Sequence, residues 1–213
     1  MVQSGHRFSL PFVIRESLKI AAAISVLLVS ALYISNNVGK PAPVLEMNKI
    51  VVPPGQRANL TLSDGTNVWL NACSEMTYPA SFSEDIRRVS LKGEAYFDVA
   101  PDKAHPFIVQ TPHTSIRVTG TSFNVRAYAD EEVESTTLIS GAIEISSENE
   151  DYELIPNQHF VYDKNSREST VSNVNTELYT SWESGSFIFM NVPLENVMSY
   201  LSKWYGFTYT FED

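Results

Sequence analysis

The chain opens with a continuous apolar run and then changes to short segments of alternating apolar and polar residues. Residues 20–39 contain no charged side chain. As a helix, this many residues span about 30 Å, the thickness of the hydrocarbon core of a bilayer. The sequence therefore predicts a transmembrane helix over residues 20–39. Lys19 and Tyr33 stand where long basic and aromatic side chains reach the membrane interface.

Two other interpretations of the apolar run stay open. A cleaved signal peptide is one, with Val29-Ser30-Ala31 as a weak cleavage site. The 19 residues that precede the run are long for the basic start of such a peptide. A buried helix of a globular domain is the other. It is disfavoured because the run is apolar on every face, whereas a surface helix carries one apolar stripe.

Net charge changes sign across the apolar run. Up to Lys19 there are three basic residues and one acidic residue, a balance of +2. The remaining 12 basic and 24 acidic residues give −12. Under the positive-inside rule, residues 1–19 form a cytoplasmic tail and the body lies in the periplasm, outside a bacterial inner membrane. A body of this charge disfavours nucleic-acid binding, which needs a basic surface.

Alternation and turn residues indicate a linker over residues 40–54 and an all-β domain over residues 55–175. Asp64-Gly65 predicts a two-residue hairpin turn, because glycine adopts the positive φ that such turns need. Strand spacing of about ten residues fits a twisted antiparallel β-sandwich or a β-solenoid-like domain. The alternating apolar positions are Leu60 and Leu62, Val68 and Leu70, Val89 and Leu91, Ala95 and Phe97, Phe107 and Val109, Ile116 and Val118, Phe123 and Val125, Ile143 and Ile145, Phe160 and Tyr162.

Residues 182–213 change to a helical period and predict a partial βαβ module. Phe187–Phe189 is predicted as a strand, and apolar residues then recur at helical spacing from Leu194 to Tyr205. Asn191 is predicted as the N-cap, with Pro193 in the first turn and Gly206 as the C-cap. Residues 207–211 alternate again, which predicts a second strand after the helix.

The residues that could take part in catalysis or metal binding do not form a catalytic or metal-binding pattern. Cys73 is the single cysteine, and we expect it to be a small buried side chain. The four histidines lack metal-ligand spacing. The acidic run 130–134 is predicted as a solvated turn, and Glu94 as part of a turn that begins at Gly93. We therefore expect no enzymatic activity, no metal and no cofactor.

Four short motifs follow one another in the β-rich region, over residues 64–125. Each is a common turn or strand pattern alone, but their order is specific. Together they resemble the FecR family of transmembrane anti-sigma regulators, and the chain from Trp182 onward resembles the secretin and TonB short N-terminal (STN) module that closes many members. The motif residues are Asp64, Gly65, Thr66, Asn71, Gly93, Glu94, Phe97, Gly120, Thr121, Phe123 and Asn124. The candidate partner-binding residues of the module are Trp182, Phe187, Phe189, Asn191, Pro193 and Leu194.

The resemblance implies a place in a signalling relay. Family members receive a signal in the periplasm from the signalling extension of an outer-membrane TonB-dependent transporter. They control an extracytoplasmic-function (ECF) sigma factor through a cytoplasmic domain. Residues 1–19 are few for such a domain, so reception of the signal is the better supported half. The alternative function is a periplasmic ligand-binding or structural envelope protein, in which Trp69 and Tyr96 stack a sugar ring or pack across strands.

Overall fold

The described chain forms two compact units. The computed structural model describes residues 12–37, 46–82, 85–148 and 150–211. The units are Met1–Val44 and Leu45–Asp213. Residues 1–11 of the predicted tail and residues 40–45 of the predicted linker lie outside the described residues.

The first unit contains one helix, α1, over Phe12–Asn37. It starts before the apolar run predicted at residue 20 and contains that run as far as Asn37. Its large apolar side chains from Ile20 to Ile34 are exposed. No helix in the described part of the chain reaches the length and hydropathy of a membrane span.

The second unit is mainly β, as the alternation predicts. Over the described residues it contains a body of thirteen strands, the β-body, and then the C-terminal segment, residues 174–211. The strands are β1 Met47–Val52, β2 Ala58–Thr61, β3 Asn67–Leu70, β4 Ser74–Pro79, β5 Arg87–Asp98, β6 Phe107–Gln110, β7 Ser115–Val118, β8 Ser122–Ala127, β9 Val133–Ser140, β10 Ile143–Ser146, β11 Asp151–Leu154, β12 Gln158–Asp163 and β13 Ser169–Asn173.

Strand β5 joins two halves of one curled sheet. Its first half lies between β4 and β6, and its second half lies between β3 and β8. The order along the sheet is β11-β10-β7-β6-β5-β8-β9-β12-β13, with β4–β1 and β3–β2 branching from β5. Among the described strands, all pairs are antiparallel except β5 with β6. The predicted antiparallel, sandwich-like class is therefore confirmed, with one parallel pair.

The core lies between the two halves of the curled sheet. The inward positions of both halves form one apolar cluster. Phe97 in β5 contacts Phe107 in β6 at 6.1 Å, and it stacks on Phe123 in β8 at 5.2 Å between ring centroids. Both family-motif phenylalanines, Phe97 and Phe123, are fully buried. Their function is to fill the core.

Two predictions near the start of the β-body, the end of the linker and the length of the first hairpin loop, are wrong. Residues 47–52 are not linker but strand β1, which pairs with β4 because alternate side chains from Asn48 to Val52 turn inward. The hairpin at Asp64-Gly65 exists, but its loop has three residues. The Leu62 N–H donates to the Thr66 carbonyl at 2.8 Å, and Gly65 has φ +86°. This geometry is typical of a three-residue loop with glycine in the left-handed position.

The turn predicted at Gly93-Glu94 is the middle of strand β5. Gly93 has φ +101°, and a Cβ built on it would lie 2.6 Å from Ser74 Cα. The residue is a corner at which β5 passes from one half of the sheet to the other. Glycine is needed there because the β4 backbone approaches too closely for a side chain. The alternation continues through the corner, so periodicity alone does not show it.

The C-terminal segment contains helices but not the predicted flanking strands. Helix α2 spans Glu177–Thr180 and helix α3 spans Leu194–Tyr205. Residues 187–189 and 207–211 have no strand partner among the described residues. Phe187 instead packs edge-on against α3, 4.4 Å from the Trp204 ring centroid. A βαβ unit needs a paired sheet, and aromatic packing on the helix replaces it here.

Candidate functional site

Three motif residues and Trp182 of the module, which are far apart in sequence, meet in one buried polar cluster. Glu94 lies in β5 and is 2% exposed. Its Oε2 accepts from Asn71 Nδ2 at 2.8 Å, and its Oε1 accepts from Asn124 Nδ2 at 3.0 Å. The Trp182 indole N–H donates to Asn124 Oδ1 at 3.1 Å. The cluster therefore links three places in the β-body to the start of the C-terminal segment.

A fifth residue, Arg126, supplies the positive charge of the polar cluster. Its Nη1 donates to Glu94 Oε2 at 2.9 Å, and its Nε and Nη2 donate to the two carboxylate oxygens of Glu131 at 2.7 and 2.6 Å. The fork of the guanidinium matches the carboxylate of Glu131. Burial opposes the charge of Arg126, but the two carboxylates outweigh it and raise its pKa.

Burial and hydrogen bonding act in opposite directions on Glu94. Burial raises the pKa of the Glu94 carboxyl, while Arg126, Asn124 and Asn71 each lower it in part. Every partner of the two oxygens is a donor, so a proton on this carboxyl would find no acceptor. The contacts therefore fit the ionised form of the Glu94 carboxyl, whose negative charge is compensated by Arg126.

Helix α3 docks against the β-body beside the polar cluster. The Tyr200 ring lies 4.8 Å from the Arg126 guanidinium, and its hydroxyl is 3.4 Å from Asn71 Nδ2. Lys203 Nζ reaches Asp130 at 2.9 Å and Glu131 at 3.1 Å. Cation–π contacts and ion pairs of this kind hold a helix by its polar face.

The same helix has a second set of contacts near the start of the β-body. Arg57 lies over the Trp204 ring at 4.1 Å, and the Gly55 N–H donates to the Lys203 carbonyl at 2.9 Å. No residue of α3 is fully buried. The docking therefore depends on a few directional contacts more than on apolar burial.

The Asp64-Gly65-Thr66 motif forms a second, separate buried site. Asp64 Oδ2 accepts from Arg87 Nη1 at 2.7 Å and from Thr66 Oγ1 at 2.7 Å. Arg87 is 3% exposed and also donates to the carbonyls of Ala100 and His105. This motif neutralises a buried arginine and fixes the hairpin loop, so its role is structural.

Gly120 and Thr121 are also structural. A Cβ on Gly120, whose φ is +150°, would lie 2.9 Å from Pro101 Cα. Thr121 Oγ1 donates to the Ala142 carbonyl at 2.9 Å, and the Val99 N–H donates to the Thr121 carbonyl at 3.0 Å. The two residues close the ends of β5 and β8 against β10.

The module residues after Trp182 occupy the exposed part of the C-terminal segment. Asn191 has φ +53° and is not the N-cap, since Pro193 holds that position and makes no side-chain cap. The prediction of Asn191 as the N-cap is wrong because it assumes that the helix begins after the nearest side chain able to cap it. Leu194 is 61% exposed, and Phe189 is 38% exposed. Gly206 has φ +69° and donates its N–H to Ser202, which confirms the predicted C-cap.

Two other expectations about reactive residues are wrong, at least in part. Cys73 is exposed, not buried, because it lies in the β3–β4 turn with φ +59°. Partial burial raises the pKa of its thiol. Within the acidic run 130–134, Asp130 is exposed but Glu134 lies inside β9 and is 2% exposed. Among the described residues, no three His, Cys, Asp or Glu side chains group as metal ligands.

Trp69 and Tyr96 pack against each other across neighbouring strands. They are register partners in β3 and β5, and their rings meet edge to face at 5.5 Å. The sequence allows two roles for these rings, stacking on a sugar or packing across strands, and the observed contact is the packing across strands.

Sequence reasoning misses the positively charged half of both buried sites. Arg87, Arg126 and Lys203 are not part of the motifs. Arg87 and Arg126 do occur at strand positions, one before an alternating run and one after Val125. A charged residue within a strand of an otherwise apolar body is the signal that could have identified them.

The curled β-body with these motifs defines a FecR-type β domain. The family model described as FecR protein matches residues 48–144. Two crystal structures of a candidate anti-sigma factor from Parabacteroides distasonis ATCC 8503 are similar to this chain. One has 34% identity and a TM-score of 0.73 and covers 76% of each chain; the other has 34% identity and a TM-score of 0.72 and covers 75% of each. No curated protein matches. The chain belongs to the FecR family.

Proposed function

We propose that this protein is an anti-sigma-type regulator that works by protein contact, without catalysis. Membership of the FecR family supports the proposal, together with its similarity to a protein described as a candidate anti-sigma factor. The motif residues support it further, because they fix loops, core and the docked C-terminal segment. The partner is an extracytoplasmic-function sigma factor.

A transcription reporter tests the anti-sigma activity. Cells carry a reporter gene that depends on a candidate ECF sigma factor from the same organism, with or without this chain. We expect expression of the chain to change reporter activity at least severalfold. Unchanged reporter activity at equal sigma-factor levels contradicts the proposal.

We further propose that the C-terminal segment receives the signal from the periplasmic extension of an outer-membrane TonB-dependent transporter. Residues 187–189 and 207–211 lie outside the helices and have no strand partner among the described residues. Leu194, Tyr205 and Phe211 are large apolar side chains that are 61%, 65% and 49% exposed. Unpaired backbone together with exposed apolar side chains supports recognition by addition of a partner strand.

A matched pair of substitutions tests this surface. Leu194→Asp places a charge on the proposed surface, and Ile155→Asp places one on the β11–β12 turn at a side chain of similar exposure, 63%. We expect Leu194→Asp to weaken binding of the transporter extension at least tenfold and Ile155→Asp to leave it unchanged. Equal effects of both substitutions contradict the assignment.

For localisation we propose an inner-membrane anchor with a cytoplasmic N-terminus. The support comes from the sequence: residues 20–39 are uncharged, and the charge balance is +2 before them and −12 after them. Alkaline phosphatase fused to the C-terminus should be active, and the mature chain should keep its full mass. An inactive fusion contradicts the orientation, and loss of residues 1–31 from the mature chain identifies a signal peptide.

A further inference from the structure

A cavity of about 320 Å³ lies between the β-body and the C-terminal segment. One wall comes from strands β9 and β12, including Val133 and Val161. The other comes from α2 and the stretch Phe187–Val192, and the polar cluster at Glu94 lines part of it. Its volume is at the lower end of small-molecule sites, which hold about 300–1,000 Å³.

The walls of the cavity are mostly apolar and rich in aromatic rings. Phe187 and Phe189 stack at 6.2 Å, and both contact the Tyr200 ring, at 5.5 and 5.7 Å. Aromatic walls favour a flat ring, which can pack face to edge against several of them at once. Further apolar side chains of the lining are Val133, Val161, Leu178, Ile188, Met190 and Val192.

The charges at the cavity compensate each other. Glu94 and Arg126 are its two charged lining residues, and they form an ion pair of 2.9 Å. His159 also lines the cavity, and burial lowers its pKa to about 4, so it is neutral at pH 7. A charged ligand would lose its hydration here without gaining a free counter-charge. The cavity therefore favours a neutral occupant.

Two lining side chains supply hydrogen-bonding groups. None of the hydrogen bonds found within the described residues uses the Ser135 hydroxyl or the Asn196 carboxamide, and both residues line the cavity. They come from opposite walls, Ser135 from β9 and Asn196 from α3. A ligand with one polar group on an aromatic ring can satisfy one of them while its ring contacts the apolar walls.

We propose that this cavity binds a small, neutral aromatic molecule, and that the bound molecule holds the C-terminal segment against the β-body. Both walls contact the ligand only when the segment is docked, so the ligand has a higher affinity for the docked state. Binding then shifts the docking equilibrium further as the ligand concentration rises above its dissociation constant. The site would make signal reception respond to a metabolite as well as to a protein.

Three probes of similar shape and different charge test the cavity. Indole is neutral, indole-3-acetate is an anion and tryptamine is a cation. The full chain is held in nanodiscs of uncharged lipid, with its methionine methyl groups labelled for NMR. Met190 lines the cavity, while Met47 lies in β1 and reports non-specific effects. We expect indole to shift the Met190 signal with a dissociation constant of about 1 mM or below. The charged probes should bind at least tenfold more weakly, and Met47 should not shift.

A blocking variant and its control complete the test. Val161→Trp fills the cavity, whereas Val171→Trp makes the same change in β13, away from it. Indole binding should be lost in the first and kept in the second. Saturating indole should also slow amide exchange over residues 187–192 in the unaltered chain. Absence of a Met190 shift, equal affinity for the three probes, or undiminished binding in a folded Val161→Trp variant each overturns the proposal. None of these outcomes bears on the Leu194 surface, which lies outside the cavity lining.

Discussion

At the scale of single residues, Glu94 is the group on which the polar cluster depends. Its two oxygens accept from two asparagines and one arginine, and these donors come from strand β8 and the β3–β4 turn. A buried carboxylate is stable only when such partners replace water. The asparagine partners are held in turn by Trp182 and Tyr200 of the C-terminal segment.

Substitution of Glu94→Gln should therefore be costly despite its similar shape. The new amide group faces donors, and Arg126 loses one of its two counter-charges. We expect the free energy of unfolding to fall by roughly 2–4 kcal/mol, measured by urea denaturation of the full chain. The control is Glu144→Gln, an exposed strand carboxylate 3.6 Å from Arg117, with an expected change below about 0.5 kcal/mol. Equal effects of the two substitutions would refute the cluster's importance.

His159 should make the folded state sensitive to acid. Its Nδ1 lies 2.8 Å from Thr137 Oγ1, its ring stacks on Tyr179 at 4.1 Å, and burial lowers its pKa to about 4. The folded pKa is below the unfolded value of about 6.5, so the stabilisation is complete above pH 6.5. It is lost as the pH falls from 6.5 towards 4, by about 3 kcal/mol.

Comparison with His159→Gln isolates this contribution from the carboxylates that titrate in the same range. Glutamine can keep a hydrogen bond to Thr137 but does not titrate. The unfolding free energy of the unaltered protein minus that of His159→Gln should fall steadily, by about 3 kcal/mol, as the pH is lowered from 7 to 4. A difference that does not depend on pH would show that His159 is not a buried neutral group.

The residue types of the polar cluster can be chosen from the sequence, but their meeting cannot. Asn71, Glu94 and Asn124 are candidates because they occur in the motifs. Asn71 is 23 residues from Glu94, and Trp182 is 58 residues from Asn124. Contacts over such separations depend on strand order, which periodicity does not contain. The glycine before Glu94 even predicts a turn where the strand continues.

At the scale of elements, strand β5 organises the fold. It is twelve residues long and has partners from both halves of the curled sheet. Gly93 stands at the point where those partners change, in contact with Ser74 of β4. Ser74 Oγ accepts from the Glu94 N–H at 2.8 Å and donates to its carbonyl at 3.1 Å. The corner therefore also places the Glu94 side chain in the polar cluster.

Gly93→Ala should break this corner. A Cβ would lie 2.4 Å from Ser74 Oγ and 2.6 Å from Ser74 Cα, and φ is +101°. We expect a loss of about 3 kcal/mol or more, seen as a lower thermal midpoint or failure to fold. Gly65→Ala is the matched control, with φ +86° and no atom within 4 Å of the new Cβ. Its cost should be only the backbone term, about 1–2 kcal/mol. A milder effect at Gly93 than at Gly65 would contradict this role of β5.

The strands of the β-body can be predicted because one face of each is buried, and burial imposes alternation. Ile143 and Ile145 in β10, or Phe160 and Tyr162 in β12, are examples, and all four are buried. The strands predicted around α3 are wrong for the same physical reason. Phe187 and Phe189 alternate, but they contact α3 and not a neighbouring strand. Alternation shows that one face of a segment is apolar, but it does not show which element covers that face.

At the scale of the whole second unit, the C-terminal segment is attached by fewer buried groups than the strands of the β-body. Trp182 is 3% exposed, but no residue of α2 or α3 is fully buried. The main contacts are the Trp182–Asn124 hydrogen bond, the Tyr200–Arg126 contact and the ion pairs of Lys203. Local opening of such a segment needs less free energy than global unfolding. The segment can therefore be displaced while the β-body stays folded, which the proposed reception of a signal requires.

Amide hydrogen exchange in α3 is the most direct measurement of the central claim, that the motif cluster holds the C-terminal segment on the β-body. Trp182→Phe removes the indole N–H and leaves Asn124 Oδ1 without that donor. Tyr152→Phe in strand β11 is the control, since it removes one hydrogen bond to Glu150 outside the polar cluster. We predict exchange over Leu194–Tyr205 that is about five- to tenfold faster in Trp182→Phe, with β8 unchanged and with no effect of Tyr152→Phe. Unchanged exchange in α3, or equal acceleration in α3 and β8, would contradict it.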